Sequence, residues 1–367
     1  MPTHLSPKKY NPDWQSFLKC LKREGTPARV HFIELFLDGE VQEEICRRYA
    51  LLDGLNPADP FFKHRRQIAI QSFLGYDYVL CPSGVKESIT DAFKHVENIT
   101  TDTAGLPRRN GRAYVDEHQG PLTNWQEFET FSWPDPAAES TRSLEWFQKN
   151  LPENMCMIGG LTGHIFEELS FLMGYETLCY ALYDQRDLVA AISQKLVEMF
   201  RGVVSTFLQF DRVVAIWGSD DLGFKTGTLI SPKDLQEFVL PGHRLLAKLS
   251  HDAGRLYLLH SCGKLTAIMD SLIDDVKIDG KHSFEDTIEN VRETKKIQGN
   301  RLALLGGIDV DFLCRSGEAE IRQRVRDTLA DCLPGGGYCL GTGNTVANYI
   351  PVDNYLTMLD EGAKFLS

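Results

Sequence analysis

Three residues of this chain have the types and spacing that suit a metal ion: His260, Cys262 and Cys339. His260 and Cys262 end the apolar run 255–262, and positions i and i+2 of a strand point to the same face. Cys339 lies in a later β-like run that follows a glycine cluster. One imidazole and two thiolates leave the fourth position of a tetrahedral zinc open, as in catalytic zinc sites. We therefore predict zinc ligation by His260, Cys262 and Cys339.

The elements that must position these ligands alternate along the chain. Short apolar runs typical of strands are separated by helical patterns such as 185–209 and 232–251. The eight runs span residues 29–36, 76–82, 154–163, 212–221, 255–262, 276–282, 302–309 and 338–344. Strands that alternate with helices form a parallel sheet, and eight such units indicate a closed (β/α)8 TIM barrel, an α/β fold. We expect one domain, 1–367, with an N-terminal helix at 12–24 and a closing helix at about 351–366.

One segment breaks this alternation. Residues 104–136 are turn-rich and aromatic, and we predict a β-hairpin excursion with a loop there.

Other polar residues lie where the predicted strands end, which is where parallel barrels carry their active sites. As catalytic candidates we take Asp220, Asp221 and Glu285. Adjacent strand residues point to opposite faces, so at most one of the two aspartates faces the barrel centre. Helix capping is the alternative for that pair. Glu285 is either a fourth, displaceable metal ligand or a hydrogen-bond partner of His260.

Four further residues are candidates for substrate contact. Glu34 ends the first run, Trp217 lies in the fourth, Asp309 ends the seventh, and His118 lies in the excursion. Three of them also have an ordinary structural alternative. Trp217 suits the core, Asp309 a helix cap and His118 an exposed loop.

Composition limits the class of protein. The formal net charge is −12, which argues against nucleic acid or an anionic membrane as partner. No apolar run reaches the ~18 residues of a membrane span. The first residues show no signal-peptide core, and nine cysteines, an odd number, suit a reducing compartment. We expect a cytoplasmic enzyme with a large apolar core.

Four stretches of this sequence resemble a known family. They are DEHQGPL (116–122), GSDDLGFKTGTLISP (218–232), GGID (306–309) and GYCLGTGNTVANYIPVDNY (337–355). Together with His260, Cys262 and Cys339, they resemble the uroporphyrinogen decarboxylase superfamily. More narrowly, they resemble its zinc- and corrinoid-dependent methyltransferase branch, which includes the methylcobalamin:coenzyme M methyltransferases.

The resemblance implies that a methyl group moves between a corrinoid (cobalamin) and a small thiol or methoxylated substrate. It leaves the direction of transfer and the methyl substrate open. Corrinoid-binding domains carry Asp-x-His-x-x-Gly, whereas the similar stretch here has Pro121 at the glycine position. We therefore expect a separate corrinoid protein as partner. The oligomeric state stays open.

Two alternatives remain at this stage. The first is a lyase that decarboxylates a tetrapyrrole or a smaller acid. Family decarboxylases hold their polycarboxylate with arginines after the first strand, but residues 31–44 carry five acids and no arginine until Arg47. The second is a non-catalytic protein that binds a corrinoid or tetrapyrrole.

Overall fold

The computed structural model describes residues 11–81, 89–96, 101–108 and 114–366. Its strands form one parallel sheet in which each strand pairs with the next along the chain. The strands are β1 Tyr78–Cys81, β2 Cys156–Thr162, β3 Val213–Ser219, β4 Leu256–His260, β5 Gly280–His282, β6 Ala303–Leu305 and β7 Tyr338–Cys339. The α/β prediction is confirmed, and seven of the eight predicted runs contain one of these strands. Residue 82, at the end of the second predicted run, lies outside the described residues.

Helices cover the outside of this curved sheet. They are α1 Trp14–Leu21, α2 Gly39–Tyr49, α3 Phe62–Leu74, α4 Trp125–Thr130, α5 Arg142–Asn150, α6 Ile165–Met173, α7 Tyr175–Asp184, α8 Arg186–Phe207, α9 Pro232–Phe238, α10 Leu240–Asp252, α11 Val291–Gln298, α12 Val310–Arg315, α13 Glu318–Cys332 and α14 Val352–Lys364. The N-terminal and closing helices lie where the sequence predicts them. The single helix predicted at 232–251 is two helices, α9 and α10.

Burial on both faces explains why the strands read as continuous apolar runs. All seven residues of β3 and all five of β4 are buried. Strands of a parallel sheet are covered by helices on one face and by the barrel interior on the other, so alternation of polar and apolar residues disappears. Within the described residues, no helix is both long and apolar enough to span a membrane.

The first predicted strand, 29–36, forms a wall segment without a regular ladder. It meets the chain after β7 at one parallel bridge, Phe32 with Leu340. On its other side, no ladder joins it to β1 among the described residues. The Tyr78 hydroxyl of β1 instead contacts both the backbone N–H and the carbonyl of Glu34. We call this boundary between residues 29–36 and β1 the seam.

The excursion at 104–136 differs from the predicted hairpin. In its described part, Val115 forms one isolated antiparallel bridge with His95, which precedes the excursion, and the short helix α4 follows. The Asn124 side chain caps α4 by accepting from the N–H of Glu127, which favours a helix there. Residues 109–113 of the predicted hairpin lie outside the described residues.

Candidate metal centre

The end of β4 brings two potential metal ligands together. His260 is the last residue of β4, and Cys262 follows two positions later. Their side chains share a face, and the Cys262 sulfur lies 3.5 Å from Nε2 of His260. His260 is buried, whereas Cys262 is half-buried. The pair therefore lies at the carboxyl edge of the sheet, within reach of a small molecule.

The neighbouring strand supplies a carboxylate. Ser219, the last residue of β3, pairs with His260, and Asp221 comes two positions later. Oδ1 of Asp221 lies 3.4 Å from Nε2 of His260 and accepts a 3.0 Å hydrogen bond from the Cys262 N–H. The ligand atoms of these three residues lie within 4.8 Å of one another. In the part of the chain that the structure describes, this is the one such group of His, Cys, Asp or Glu; we call it the strand-end cluster.

Two glycines let the loops that carry Asp221 and Cys262 pack together. Gly263 has a φ of +80°, a conformation that L side chains rarely adopt. A Cβ on Gly263 would lie 2.2 Å from the carbonyl carbon of Gly223, and one on Gly223 would lie 2.8 Å from the Cys262 carbonyl oxygen. The close approach of these backbones brings the carboxylate and the thiol together.

Two polar side chains contact the Cys262 sulfur from other strands. The Asn344 amide donates from 3.3 Å, and the Ser283 hydroxyl donates from 3.8 Å. Sequence reasoning missed Asn344. Its signal was a polar residue in a small-residue turn at the carboxyl end of the last strand.

His282, at the end of β5, orients the His260 ring. The two Nδ1 atoms lie 2.7 Å apart, so one ring donates and the other accepts. Burial and the charges of His260 and Lys281 lower the pKa of His282 well below its usual range. A neutral His282 accepting from Nδ1–H of His260 leaves the opposite nitrogen, Nε2, facing the strand-end cluster.

Asp221, His260 and Cys262 influence each other's ionisation. Burial opposes ionisation of Asp221, but contacts with His260 and Cys262 outweigh it and keep the Asp221 pKa below its usual range. Burial likewise disfavours the charged His260, yet hydrogen bonds with Asp221 and Cys262 raise its pKa to about 9. A proton and a metal ion therefore compete for Nε2 of His260.

Cys339 is not part of the strand-end cluster, in which Asp221 is the third potential ligand beside His260 and Cys262. It is fully buried, and its thiol hydrogen-bonds with Cys20 of α1. Burial raises the Cys339 pKa well above its usual range. The chain from Cys339 to Asn344 spans up to ~17 Å if extended. Asn344, not Cys339, is the residue of this run that contacts Cys262.

Around Cys339 lies a second group of chemically similar residues. Asp77 pairs with both Arg29 and Nδ1 of His31, and Nε2 of His31 meets the Ser16 hydroxyl at 3.0 Å. Asp77 immediately precedes β1, so this group lies at the amino ends of the strands. We call Arg29, His31, Asp77 and Cys339 the basal cluster.

Asp220 and Asp221 lie in different environments, as expected for adjacent residues whose side chains point to opposite faces. Asp220 is fully buried and accepts from the N–H groups of Phe166 and Glu167 in the first turn of α6. It also pairs with Nε2 of His243 at 2.8 Å. These contacts tie β3 to α6 and α10, so Asp220 does cap a helix, but the helix is α6, which precedes β3, and not the next one along the chain. Asp221 is the aspartate that reaches the strand-end cluster.

Glu34 is buried against the chain after β7. Its two oxygens accept from the backbone N–H and the hydroxyl of Thr342, at 2.7 and 2.6 Å. Burial raises the Glu34 pKa to about 8 despite these hydrogen bonds. Glu34 is therefore mostly protonated at neutral pH. The Thr342 hydroxyl that it contacts also meets the carbonyl of Asn344, two residues after Thr342.

The remaining candidates lie outside the strand-end cluster. Trp217 is fully buried and packs edge-on against His282, with ring centroids 5.8 Å apart. Asp309 caps α12 and accepts from the N–H of Phe312. The Glu285 carbonyl accepts from the next turn, and its carboxylate is not part of the cluster. His118 is exposed and pairs with Glu176, which raises its pKa.

Arginines balance much of the acidic segment after the first run. Arg108, from the excursion, pairs with Asp38 at 2.8 Å. Arg47 and Arg48 both pair with Glu44, and these contacts lower the Glu44 pKa to about 2. The segment is therefore less negative than its sequence suggests.

Comparison with known proteins gives three findings. A family model described as uroporphyrinogen decarboxylase (URO-D) matches residues 116–365. A methylated-thiol–coenzyme M methyltransferase of Methanosarcina mazei is 30% identical over 129 residues, 35% of this chain and 32% of its own. A methylcobamide:CoM methyltransferase, MtaA, of Methanosarcina barkeri is 30% identical over 126 residues, 34% of this chain and 35% of its own. The matched part therefore spans about a third of these relatives.

The fold also matches a solved structure over nearly its whole length. A methyltransferase from Methanosarcina mazei superposes with a TM-score of 0.70 and 16% identity, covering 96% of this chain and 98% of its own. At this identity the likeness concerns the fold alone.

Proposed function

The chain belongs to the uroporphyrinogen decarboxylase (URO-D) family. We propose that it is a zinc-dependent methyltransferase, which moves a methyl group between a corrinoid on a partner protein and a small thiol or methoxylated substrate at its strand-end cluster. The observation that carries this proposal is the convergence of Asp221, His260 and Cys262 at the carboxyl edge of the sheet. The names of the two methanogen relatives support the reaction class.

The donor atoms of the cluster fit zinc. Zinc accepts imidazole nitrogen, thiolate sulfur and carboxylate oxygen, and three protein ligands leave one position for substrate. Asp221 and Cys262 supply two negative charges, which balance a divalent cation. When bound there, zinc would lower the pKa of a coordinated substrate thiol, or polarise the oxygen of a methyl ether.

The chain's own residues prepare this site. Asn344 and Ser283 stabilise negative charge on the Cys262 sulfur by hydrogen bonding. His282 holds the tautomer of His260 that directs Nε2 at the cluster. The half-exposed Asp221 and Cys262 leave room for a small substrate, so the methyl group can be presented in line with its acceptor.

The test measures metal content and methyl transfer together. The purified chain should hold about one zinc, lost in Cys262→Ala and retained in Cys339→Ala. Methyl transfer between methylcobalamin and a panel of small thiols should follow the zinc content. The same assay with reduced cobalamin and methoxylated aromatics tests the opposite direction.

Two results would count against the proposal. Zinc that is lost in Cys339→Ala as well as in Cys262→Ala would restore the ligand set predicted from the sequence. A chain that binds no zinc under reducing conditions, and releases carbon dioxide from a carboxylated substrate, would be a lyase.

A further inference from the structure

A lysine in the middle of β5 is buried close to the strand-end cluster. Lys281 exposes 1% of its surface, and among the lysines and arginines that the structure describes it alone is buried. Burying an ammonium costs free energy unless hydrogen bonds and an opposite charge compensate for it, so lysine is rarely found fully buried. The contacts of Lys281 therefore indicate what a charge does at this position.

Three contacts hold the Lys281 ammonium. Its Nζ donates to the backbone carbonyl of Ser283 at 2.6 Å and pairs with Oε2 of Glu289 at 3.2 Å. It also lies 4.2 Å from the centroid of the Phe284 ring, which is within the range of a cation–π contact. We call residues 283 and 284 the exit segment, because they follow β5 directly. Two of the three contacts are with the exit segment, so the buried ammonium fixes its position.

The exit segment carries one hydrogen-bond donor to the Cys262 sulfur and supports a second. The Ser283 hydroxyl donates to this sulfur from 3.8 Å. The Phe284 N–H donates to the carbonyl of Gly343 at 2.9 Å, and the next residue, Asn344, donates to the same sulfur from 3.3 Å. Both donors are therefore linked to the buried ammonium through the exit segment.

Close packing couples the exit segment to the chain after β7. A Cβ on Gly343 would lie 2.0 Å from the carbonyl oxygen of Phe284, so the glycine allows the two backbones to touch. Segments packed this closely transmit a displacement instead of absorbing it. A shift of the exit segment would therefore move the Asn344 amide as well as the Ser283 hydroxyl.

We propose that Lys281 is a positioning residue for the Cys262 sulfur. Its ammonium holds the exit segment so that the Ser283 hydroxyl and the Asn344 amide both reach that sulfur. The effect of Lys281 on zinc rests on the proposed function, in which Cys262 binds the metal. The positioning itself can be measured in the metal-free chain.

The zinc affinity of Lys281→Met, measured by competition with a chromophoric chelator, is the first test. Methionine keeps most of the apolar stem but has no ammonium. We expect a ~10-fold loss of affinity, as for removal of an outer partner of a metal ligand. An effect of charge alone has the opposite sign, since removing a nearby cation strengthens the binding of a divalent metal ion.

Lys295→Met is the matched control. Nζ of Lys295 also donates to a backbone carbonyl at 2.6 Å, but that carbonyl belongs to Gly336, just before β7. The zinc affinity of this variant should equal that of the parent chain. Lys281→Gln is a milder second variant, whose side-chain amide ends one atom short of the ammonium. Circular dichroism checks that each variant folds, and the same measurements on Lys281→Gln decide the matter if Lys281→Met does not fold.

A double-mutant cycle shows whether Lys281 acts through the two donors. In a chain that already carries Ser283→Ala and Asn344→Leu, the donors that Lys281 positions are gone. Adding Lys281→Met to that chain should therefore cost little further zinc affinity.

Hydrogen exchange of the metal-free chain measures the positioning without zinc. In Lys281→Met, the Phe284 amide should exchange ~10-fold faster or more, because its bond to Gly343 opens more often. Lys295→Met should leave this exchange unchanged. A parent chain that binds no zinc would defeat the proposed function, whereas faster exchange at Phe284 would still support the role of Lys281.

Three outcomes would overturn this role. One is unchanged exchange of the Phe284 amide in Lys281→Met. Another is a zinc affinity of Lys281→Met that equals or exceeds that of the parent chain. The third is a loss of affinity of the same size with and without the two donors, which would mean that Lys281 acts by another route.

Discussion

The two ends of the barrel carry clusters with the same side-chain types and opposite properties. Both contain a histidine, an aspartate and a cysteine. In the basal cluster, both nitrogens of His31 have close partners, Asp77 and Ser16, and Asp77 is fully buried. In the strand-end cluster, Nε2 of His260 meets Asp221 and Cys262 at 3.4 and 3.5 Å, and both partners are half-buried. The difference teaches that position along the strand, rather than residue type, separates a cluster within reach of a small molecule from a buried structural network.

Of the substitutions that test this comparison, His260→Ala should have the largest effect. It removes the central ligand of the strand-end cluster, so zinc content and methyl transfer should fall by more than the ~100-fold that marks loss of an outer partner. Elemental analysis and the methylcobalamin assay measure both. The fold should persist because the other members, Asp221 and Cys262, are half-buried and can meet water. Full activity in this variant would remove His260 from the site.

Asp77→Ala should break the basal cluster instead. It leaves Arg29 and His31 without their buried carboxylate partner, which typically costs about 3–5 kcal/mol of unfolding free energy. Urea denaturation measures this loss. The zinc content of the folded variant should equal that of the parent chain. A stable variant that has lost its zinc would mean that the two clusters are coupled.

Asn344→Leu tests how much a hydrogen bond to the Cys262 sulfur contributes within the strand-end cluster. The change removes the amide donor from the Cys262 sulfur, and we expect a ~10–100-fold loss of zinc affinity. Competition with a chromophoric chelator gives the affinity. Thr345→Val is the matched control, since Thr345 is the adjacent half-buried polar residue. Equal losses in both variants would indicate a general disturbance of the turn.

Glu34→Gln should change only the pH dependence of stability and leave the zinc content unaltered. Because the folded pKa of Glu34 is raised to about 8, folding stability from this group is fully present below its unfolded pKa of ~4.3. It is lost as pH rises to about 8, by at most ~1.4 kcal/mol per pH unit. The glutamine variant cannot ionise, so its stability should decline less across that window. Parallel curves from urea denaturation at pH 5, 6.5 and 8 would contradict the assignment.

Sequence pattern predicted the parts of this molecule that depend on local periodicity. The apolar runs predicted all seven strands, and the i, i+2 rule placed His260 beside Cys262. Alternation also separated Asp220 from Asp221. The strand predictions succeed because a parallel strand that is buried on both faces is a continuous run of apolar residues.

The rest depended on contacts between distant segments. Residues 338–344 were predicted as one run, but the sequence does not show which of its residues reaches the level of Cys262. The structure brings Asn344 to that level and Cys339 to Cys20. The irregular first wall segment was equally hidden, since its apolar pattern is that of a strand. Its backbone groups meet the Tyr78 hydroxyl, a contact between residues far apart in the chain.

The seam is also a line of sparse backbone pairing in the barrel wall. Residues 29–36 are held to the chain after β7 by scattered backbone hydrogen bonds and to β1 through a tyrosine hydroxyl, whereas β3 is paired along both edges. Local opening along this line breaks fewer backbone hydrogen bonds than opening beside β3. Backbone amides of the wall segment should therefore exchange hydrogen for deuterium sooner than those of β3. Faster exchange there would identify the wall segment as the part of the barrel wall that opens most readily.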